Sequence, residues 1–183
     1  MTTAQTTAAT TLPVGVWTTD PIHSSLEFSV KHMVVGTFRS QLPDFEATLT
    51  AAAEGAALEG VGRVASVVTP EPNLTAHLQS PDFFDAERFP EVTFRSTEIT
   101  RRGDEITVVG DLSLKGTTGR ISLTGTVFGP VVGLGDAERI GMDLTGTFDR
   151  TEYGLNWNAP LPKGGFAVGD IVTIGAHLEL VRG

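Results

Sequence analysis

Between Ile106 and Leu114 every second residue is apolar or small: Ile106, Val108, Gly110, Leu112, Leu114. After the KGTTG stretch (115–119) the phase moves to odd positions, Ile121, Leu123, Gly125 and Val127. It returns to even positions at Ile140, Met142, Leu144, Gly146 and Phe148, and the last segment reads Val172, Ile174, Ala176, Leu178, Leu180. Threonine, serine, aspartate, glutamate and arginine fill many of the alternate positions. A period of two puts one dry and one wet face on a strand, the mark of an antiparallel sheet. ITRRGDEI and LKGTTGRI are short, glycine-containing reversals of the kind that join hairpin strands.

The same reading places earlier strands at 14–18, 22–32, 36–50 (bent at Pro43), 58–68 and 91–100, about nine in all. So many amphipathic strands stack as a sandwich or close on themselves. Helix is expected in one short insert near residues 73–87. NLTAHLQ makes two turns, and SPDFFDAE follows with Ser80 as N-cap, Pro81 at the first helical position and Asp82 in the first turn. Gly110, Gly125 and Gly146 share the inward face with large apolar residues. Interior glycines either let a barrel strand coil sharply or leave room inside, and both readings favour a closed barrel. The expected fold class is therefore all-β: an antiparallel barrel of about eight or nine strands.

Composition narrows the function. The chain has 183 residues, 40% hydrophobic and 19% charged, with 21 glycines and no cysteine. One globular domain is expected over 13–183, behind a Thr/Ala-rich tail (1–12) expected to be disordered. A net charge of −9 opposes nucleic acid and electrostatic docking on an anionic membrane. Without cysteine, disulfides and thiolate chemistry are excluded. No apolar run approaches the ~20 residues of a membrane span, so integral membrane association is not expected. MTTAQTTAATTLPVG lacks a basic and an apolar signal region, which points to the cytoplasm.

The candidate chemistry is thin. Asp20, His23 and His32 are close in sequence, but on a strand His23 points to solvent while His32 shares the face of Phe28 and Val30. The two imidazoles diverge, so no metal is expected there, and no H-E-x-x-H spacing occurs. There is no G-x-S-x-G, and Asp82 and Asp85 read as helix-cap carboxylates. No catalytic residue is assigned, and the protein is not expected to be an enzyme. The 150–169 loop, with Tyr153, Leu155, Trp157, Leu161 and Phe166, is unusually apolar for a solvated connection. It either caps the core or gates it.

Several segments together resemble the YceI-like family. The carriers are W-x-x-D-x-x-H-S-x-L-x-F-x-V-K-H (17–32) with GTF (36–38), HLQSPDFFDAERFPEVTFRS (77–96), GDLSLKGTT (110–118), FDRTEYGLNW (148–157) and VGDIVTIGAHLEL (168–180). The resemblance implies a lipocalin-like barrel that holds a long isoprenoid or other amphiphilic lipid and performs no catalysis. It implies no cofactor beyond that bound lipid. TTGRI after Gly116 departs from the family's usual Arg-Pro turn, so no head-group role is carried over to it.

On this reading the cavity is lined by Phe28, Val30, His32, Phe38, Phe94, Val108 and Leu112, and by Leu123, Met142, Leu144, Phe148, Ile174 and Leu178. Phe83, Phe84 and Trp157 close or shape an end. A ligand with ~20 buried carbons gains on the order of 16 kcal/mol gross, before the costs of association. An apolar tunnel therefore suffices for affinity. Leu123→Trp or Gly125→Phe would fill it. The expected function is binding, transport or storage of such a lipid. The alternatives are a metal-assisted hydrolase using His32 or His77 on a lipid-like substrate, and a packed barrel serving as an interaction module. The latter is marked by an interior with no cavity above ~300 Å³. Exposed strand edges are compatible with a homodimer.

Overall fold

The computed structural model describes residues 11–183. Residues 1–10 of the expected tail lie outside the described residues, whereas Leu12 is already buried in the core. Among the described residues ten strands form: β1 Gly15–Thr19, β2 Ser25–His32, β3 Gly36–Gln41, β4 Phe45–Ala52 and β5 Gly55–Arg63, then β6 Glu91–Arg102, β7 Glu105–Leu114, β8 Thr117–Val132, β9 Glu138–Asp149 and β10 Val168–Arg182. Every pairing is antiparallel.

Strands β4 to β10 pair in sequence order, and β1 bridges β4 and β10 to close an eight-stranded barrel. This closed antiparallel barrel has the lipocalin-like form expected from the sequence. The remaining two strands, β2 and β3, form a hairpin laid on the first half of β10. β1 and β2 run successively along the same partner, Thr19 opposite Leu180 and Ser25 opposite His177, so they are one long strand interrupted at 20–24. Asp20 makes that interruption, its Oδ1 accepting from the Ile22 amide at 2.9 Å.

The expected continuous strand over 36–50 divides in two, which raises the strand number to ten. Proline offers no amide to a ladder. At Pro43 the chain leaves β2, which pairs with β3, and crosses to β1, which pairs with β4. The alternation from Ile106 onward holds: in β7 the residues Ile106, Val108, Leu112 and Leu114 are all buried. The β6–β7 and β7–β8 reversals are two-residue turns, the second formed by Lys115 and Gly116 at φ 50° and 78°.

Between β5 and β6 a short 3-10 turn, Val64–Ser66, precedes an α-helix, α1 Pro72–Gln79, started by the Glu71 carboxylate accepting from the Leu74 amide at 2.7 Å. The second expected helical piece is instead a series of turns. Phe83, Asp85 and Ala86 donate back to the Ser80 and Gln79 carbonyls, and Asp85 takes φ 52°, which no helix accommodates. The turns still bury Phe83 against Leu42, Val67 and Leu78, with Phe28, Phe38, Phe84 and Trp157 around them.

The inward glycines serve coiling rather than space. A Cβ on Gly125 would stand 1.7 Å from the Asp143 carbonyl oxygen, and one on Gly146 would stand 2.5 Å from that of Ser122. At Gly110 the Phe94 ring covers the position, 2.5 Å from where a Cβ would lie. These residues let neighbouring backbones close in, so Gly125→Phe is no simple filler of the interior.

Candidate functional site

The barrel is solid at one end and hollow at the other. Trp17, Leu49, Val127, Ile140 and Leu180 are fully buried where β1 closes the ring, together with Val108 and Met142. Toward the β2–β3 hairpin the inward side chains stop meeting, and a cavity of about 610 Å³ opens. Its wall is almost entirely apolar. Phe28, Val30, Phe38, Phe94, Phe148 and Ile174 all face it, yet none is fully buried, as expected of residues lining a space open at one end. Leu112, Leu123, Leu144 and Leu178 line it deeper down. Phe83, Phe84 and Trp157 shape it from the insert and the long loop, and His32 stands exposed at the rim.

Of the residues expected to line the interior, Val108 and Met142 do not. Both point inward, as their phase requires, but lie in the packed floor. Alternation reports the face of a strand, whereas depth along the barrel axis depends on strand tilt. Residues not anticipated include Leu26, Leu42, Leu58 and Leu155. Leu26 carries the same even phase as Phe28 and could have been read from it. Leu42 and Leu155 lie in loops, where no periodicity operates.

The long loop is organised by one buried cation. Arg150 is 3% exposed. Its Nε donates to the Gly169 carbonyl at 2.8 Å, Nη1 to the carbonyls of Leu155 and Trp157, and Nη2 to that of Val168 at 3.3 Å. Asp170 supplies a more distant carboxylate at 3.5 Å. Burial pushes the guanidinium pKa down, against the pull of Asp170 and Asp149. The start and end of the loop are thereby pinned to each other, and Trp157 is set against Phe83 and His77 at ring-centroid distances of 5.4 and 4.6 Å. A charged residue in an apolar loop gave no sequence signal for this inward role.

The histidines do not converge. His77 Nε2 lies 3.0 Å from Asp82 in the wall, and His32 is at the far end of β2 from His23. His23 Nδ1 does meet Asp20, at 3.1 Å, and with Glu179 these form a group of metal-ligand spacing among the described residues. The cation of that group is Arg139, whose Nη1 contacts Asp20 at 2.9 Å and also Glu179. Arg139, then His23, hold the Asp20 carboxyl well below the usual carboxylate range.

On the outer wall His177 faces Asp143 at 2.9 Å and Glu27 at 3.4 Å. The Asp143 hydrogen bond, with a smaller share from Glu27, raises the imidazole pKa above 6.5. Its contribution to stability is therefore present in full below pH 6.5 and is lost as pH rises through the higher folded-state value. An NMR titration should place the His177 midpoint above 6.5, and Asp143→Asn should lower it. An unchanged midpoint in that variant would remove the assignment to Asp143.

The chain matches the YceI-like domain over residues 17–180. It belongs to the YceI-like family. A UPF0312 protein of Staphylococcus aureus, SAB2563, is 32% identical over 174 residues, covering 89% of this chain and 95% of its own. Among solved structures, Burkholderia cenocepacia BcnA superposes with a TM-score of 0.74 at 22% identity, over 90% of this chain and 99% of that one. A polyisoprenoid binding domain from Saccharophagus degradans, implicated in plant cell wall breakdown, gives a TM-score of 0.66 at 14% identity, over 93% and 100%. At such identities these structures establish the shared fold. Among the described residues no helix is long and apolar enough to cross a membrane.

Proposed function

We propose that this YceI-like protein binds a long-chain isoprenoid or similar amphiphilic lipid inside the barrel, without catalysis, and serves to carry or store it. The observation that carries the reading is the cavity itself: about 610 Å³, walled by aromatic and aliphatic side chains and open at one end. That volume lies well within the range of small-molecule sites. It is twice the ~300 Å³ below which a packed interaction module was the better reading. The polyisoprenoid-binding structural relative supports the ligand class. A hydrolase is disfavoured by the wall: His77 is engaged with Asp82 and meets Phe83 and Trp157 edge to face, while His32 stands exposed at the rim.

Native mass spectrometry of freshly purified protein, followed by organic extraction, tests this reading. A co-purifying long-chain lipid in about equimolar amount is expected; a protein that carries none and takes up none from added isoprenoid would overturn it. Leu123→Trp places an indole in the space between β8 and the opposite wall. It should weaken binding of a fluorescent long-chain lipid by about tenfold or more, the loss of one or two buried methylenes' worth of contact per decade. The far-UV circular dichroism should be unchanged. Full affinity in Leu123→Trp would argue against an internal ligand.

A further inference from the structure

The tip of the β2–β3 hairpin is built at a cost. Met33 and Val34 both take left-handed backbone, φ 50° and 66°. The three-residue loop 33–35 thus holds two consecutive residues where glycine or asparagine is usual, because a side chain, and a β-branched one above all, is strained at positive φ. The two strained residues and their neighbour present apolar side chains to solvent: Met33 is 43%, Val34 69% and Val35 90% exposed. Strain kept at an exposed apolar site points to a use for that site.

The tip does not stand alone. The Met33 amide donates to the Ala167 carbonyl at 2.7 Å, which joins the hairpin to the loop carrying Phe166, itself 61% exposed. Met33 and Ala167 also line the cavity, so the outer apolar surface runs without a break into the inner one. Charge is distributed in the same sense. The chain carries −9 overall, yet there is no carboxylate from Phe28 to Pro43 or from Gly154 to Gly169. Those two segments supply Lys31, Arg39 and Lys163, all exposed and, among the described residues, outside every ion pair. A second exposed apolar group, Val131, Val132 and Leu134, lies beside Asp136 and Glu138 and away from the apolar cavity; the pocket that Val131 borders is lined also by Asp143, Glu179, Arg139 and two histidines.

We propose that the β2–β3 tip and the 159–168 loop form a lip that docks the open end of the barrel on the surface of a phospholipid bilayer. Val34, Val35 and Phe166 enter the headgroup–acyl boundary, and Lys31, Arg39 and Lys163 face the phosphates. The net charge of the chain opposes this; the local excess of cations and the apolar tip reverse it at the lip. Basic residues are drawn to an anionic surface, and the apolar side chains add their transfer from water. The inference rests on the lipid-binding reading for its purpose, since the docked mouth would exchange its ligand with the bilayer without passage through water.

The test is co-sedimentation with phosphatidylcholine vesicles containing a minority of phosphatidylglycerol. Cavity filling is followed separately with a fluorescent long-chain lipid delivered from cyclodextrin. The wild-type protein should sediment with the vesicles. Val34→Asp combined with Val35→Asp should lower that association by about tenfold or more, with cavity filling unchanged. Val34→Gly relieves the turn, so the fold is kept or strengthened while association still falls. Lys31→Gln with Lys163→Gln should weaken association and reduce its salt dependence. A wild-type protein that fills from cyclodextrin but stays in the supernatant overturns the docking proposal alone, as does undiminished sedimentation of the double aspartate variant. Sedimentation without any cavity filling overturns the lipid-binding reading and leaves the docking surface standing.

Discussion

Gly125→Ala is expected to destabilise the protein by about 3 kcal/mol or more, enough to unfold much of the population at moderate temperature. The added methyl carbon would lie 1.7 Å from the Asp143 carbonyl oxygen, a backbone atom in the paired strand β9. No rotamer change relieves such a contact. Strand β9 would have to move away from β8, and it is held on its other side by a register with β10 that runs from Ile171 opposite Asp149 to Val181 opposite Arg139. The comparison is Gly141→Ala, on the paired strand β9, where a Cβ meets nothing within 4 Å. That variant should stay within about 0.5 kcal/mol of the parent. Denaturant unfolding of the two variants measures the difference directly. A Gly125→Ala protein as stable as the parent would show that β8 and β9 are not so closely applied.

Arg150→Met should be nearly as damaging, by about 3–5 kcal/mol, and should loosen one wall of the cavity. Methionine keeps much of the packing volume but takes the guanidinium donor from the carbonyls of Leu155, Trp157 and Gly169, while that of Val168 keeps the Asn158 Nδ2 amide at 2.6 Å. Buried carbonyls left unpaired cost about 1–3 kcal/mol each, less whatever the loop regains by opening to water. Arg150→Lys should rescue little, because one ammonium cannot reach the carbonyls that a planar fork spans. The readout is local as well as global. Amide exchange over 155–168 should accelerate by about a hundredfold if the loop loses 3 kcal/mol. Lipid dissociation should quicken with it, since Trp157 and Ala167 are cavity wall. Unchanged protection across the loop would remove Arg150 as its organiser.

Much of this architecture could be read along the chain, because a strand's two faces are set by nearest-but-one neighbours and require no knowledge of the partner. The phases of 106–114, 121–127, 140–148 and 172–180 assigned inward residues that the barrel does turn inward. Proline at 43 announced an irregularity, and NLTAHLQ does form a helix, α1, which begins one residue earlier at Pro72. The family motifs carried the assignment to a YceI-like barrel, which the match over residues 17–180 shows. The insert was harder: a capping pattern at Ser80–Asp82 promised a helix, but burial of Phe83 against Leu42 and Val67 is satisfied by tight turns.

The local pattern could not say how far along the axis each inward residue sits, and that decides what is cavity and what is floor. Val108 and Leu112 share a strand and a face, yet one is packed solid and the other borders the hollow. The difference arises from strand tilt, from β1 closing only one end of the ring, and from β2 and β3 splaying over the other. The same holds for Arg150 and for the glycines. Their roles depend on which carbonyls are brought near by residues far away in sequence, through contacts that no repeat in the chain encodes. Alternation and composition thus settled that this protein is a β-barrel with a greasy inner face. Closure, in three dimensions, determined that the inner face encloses a space.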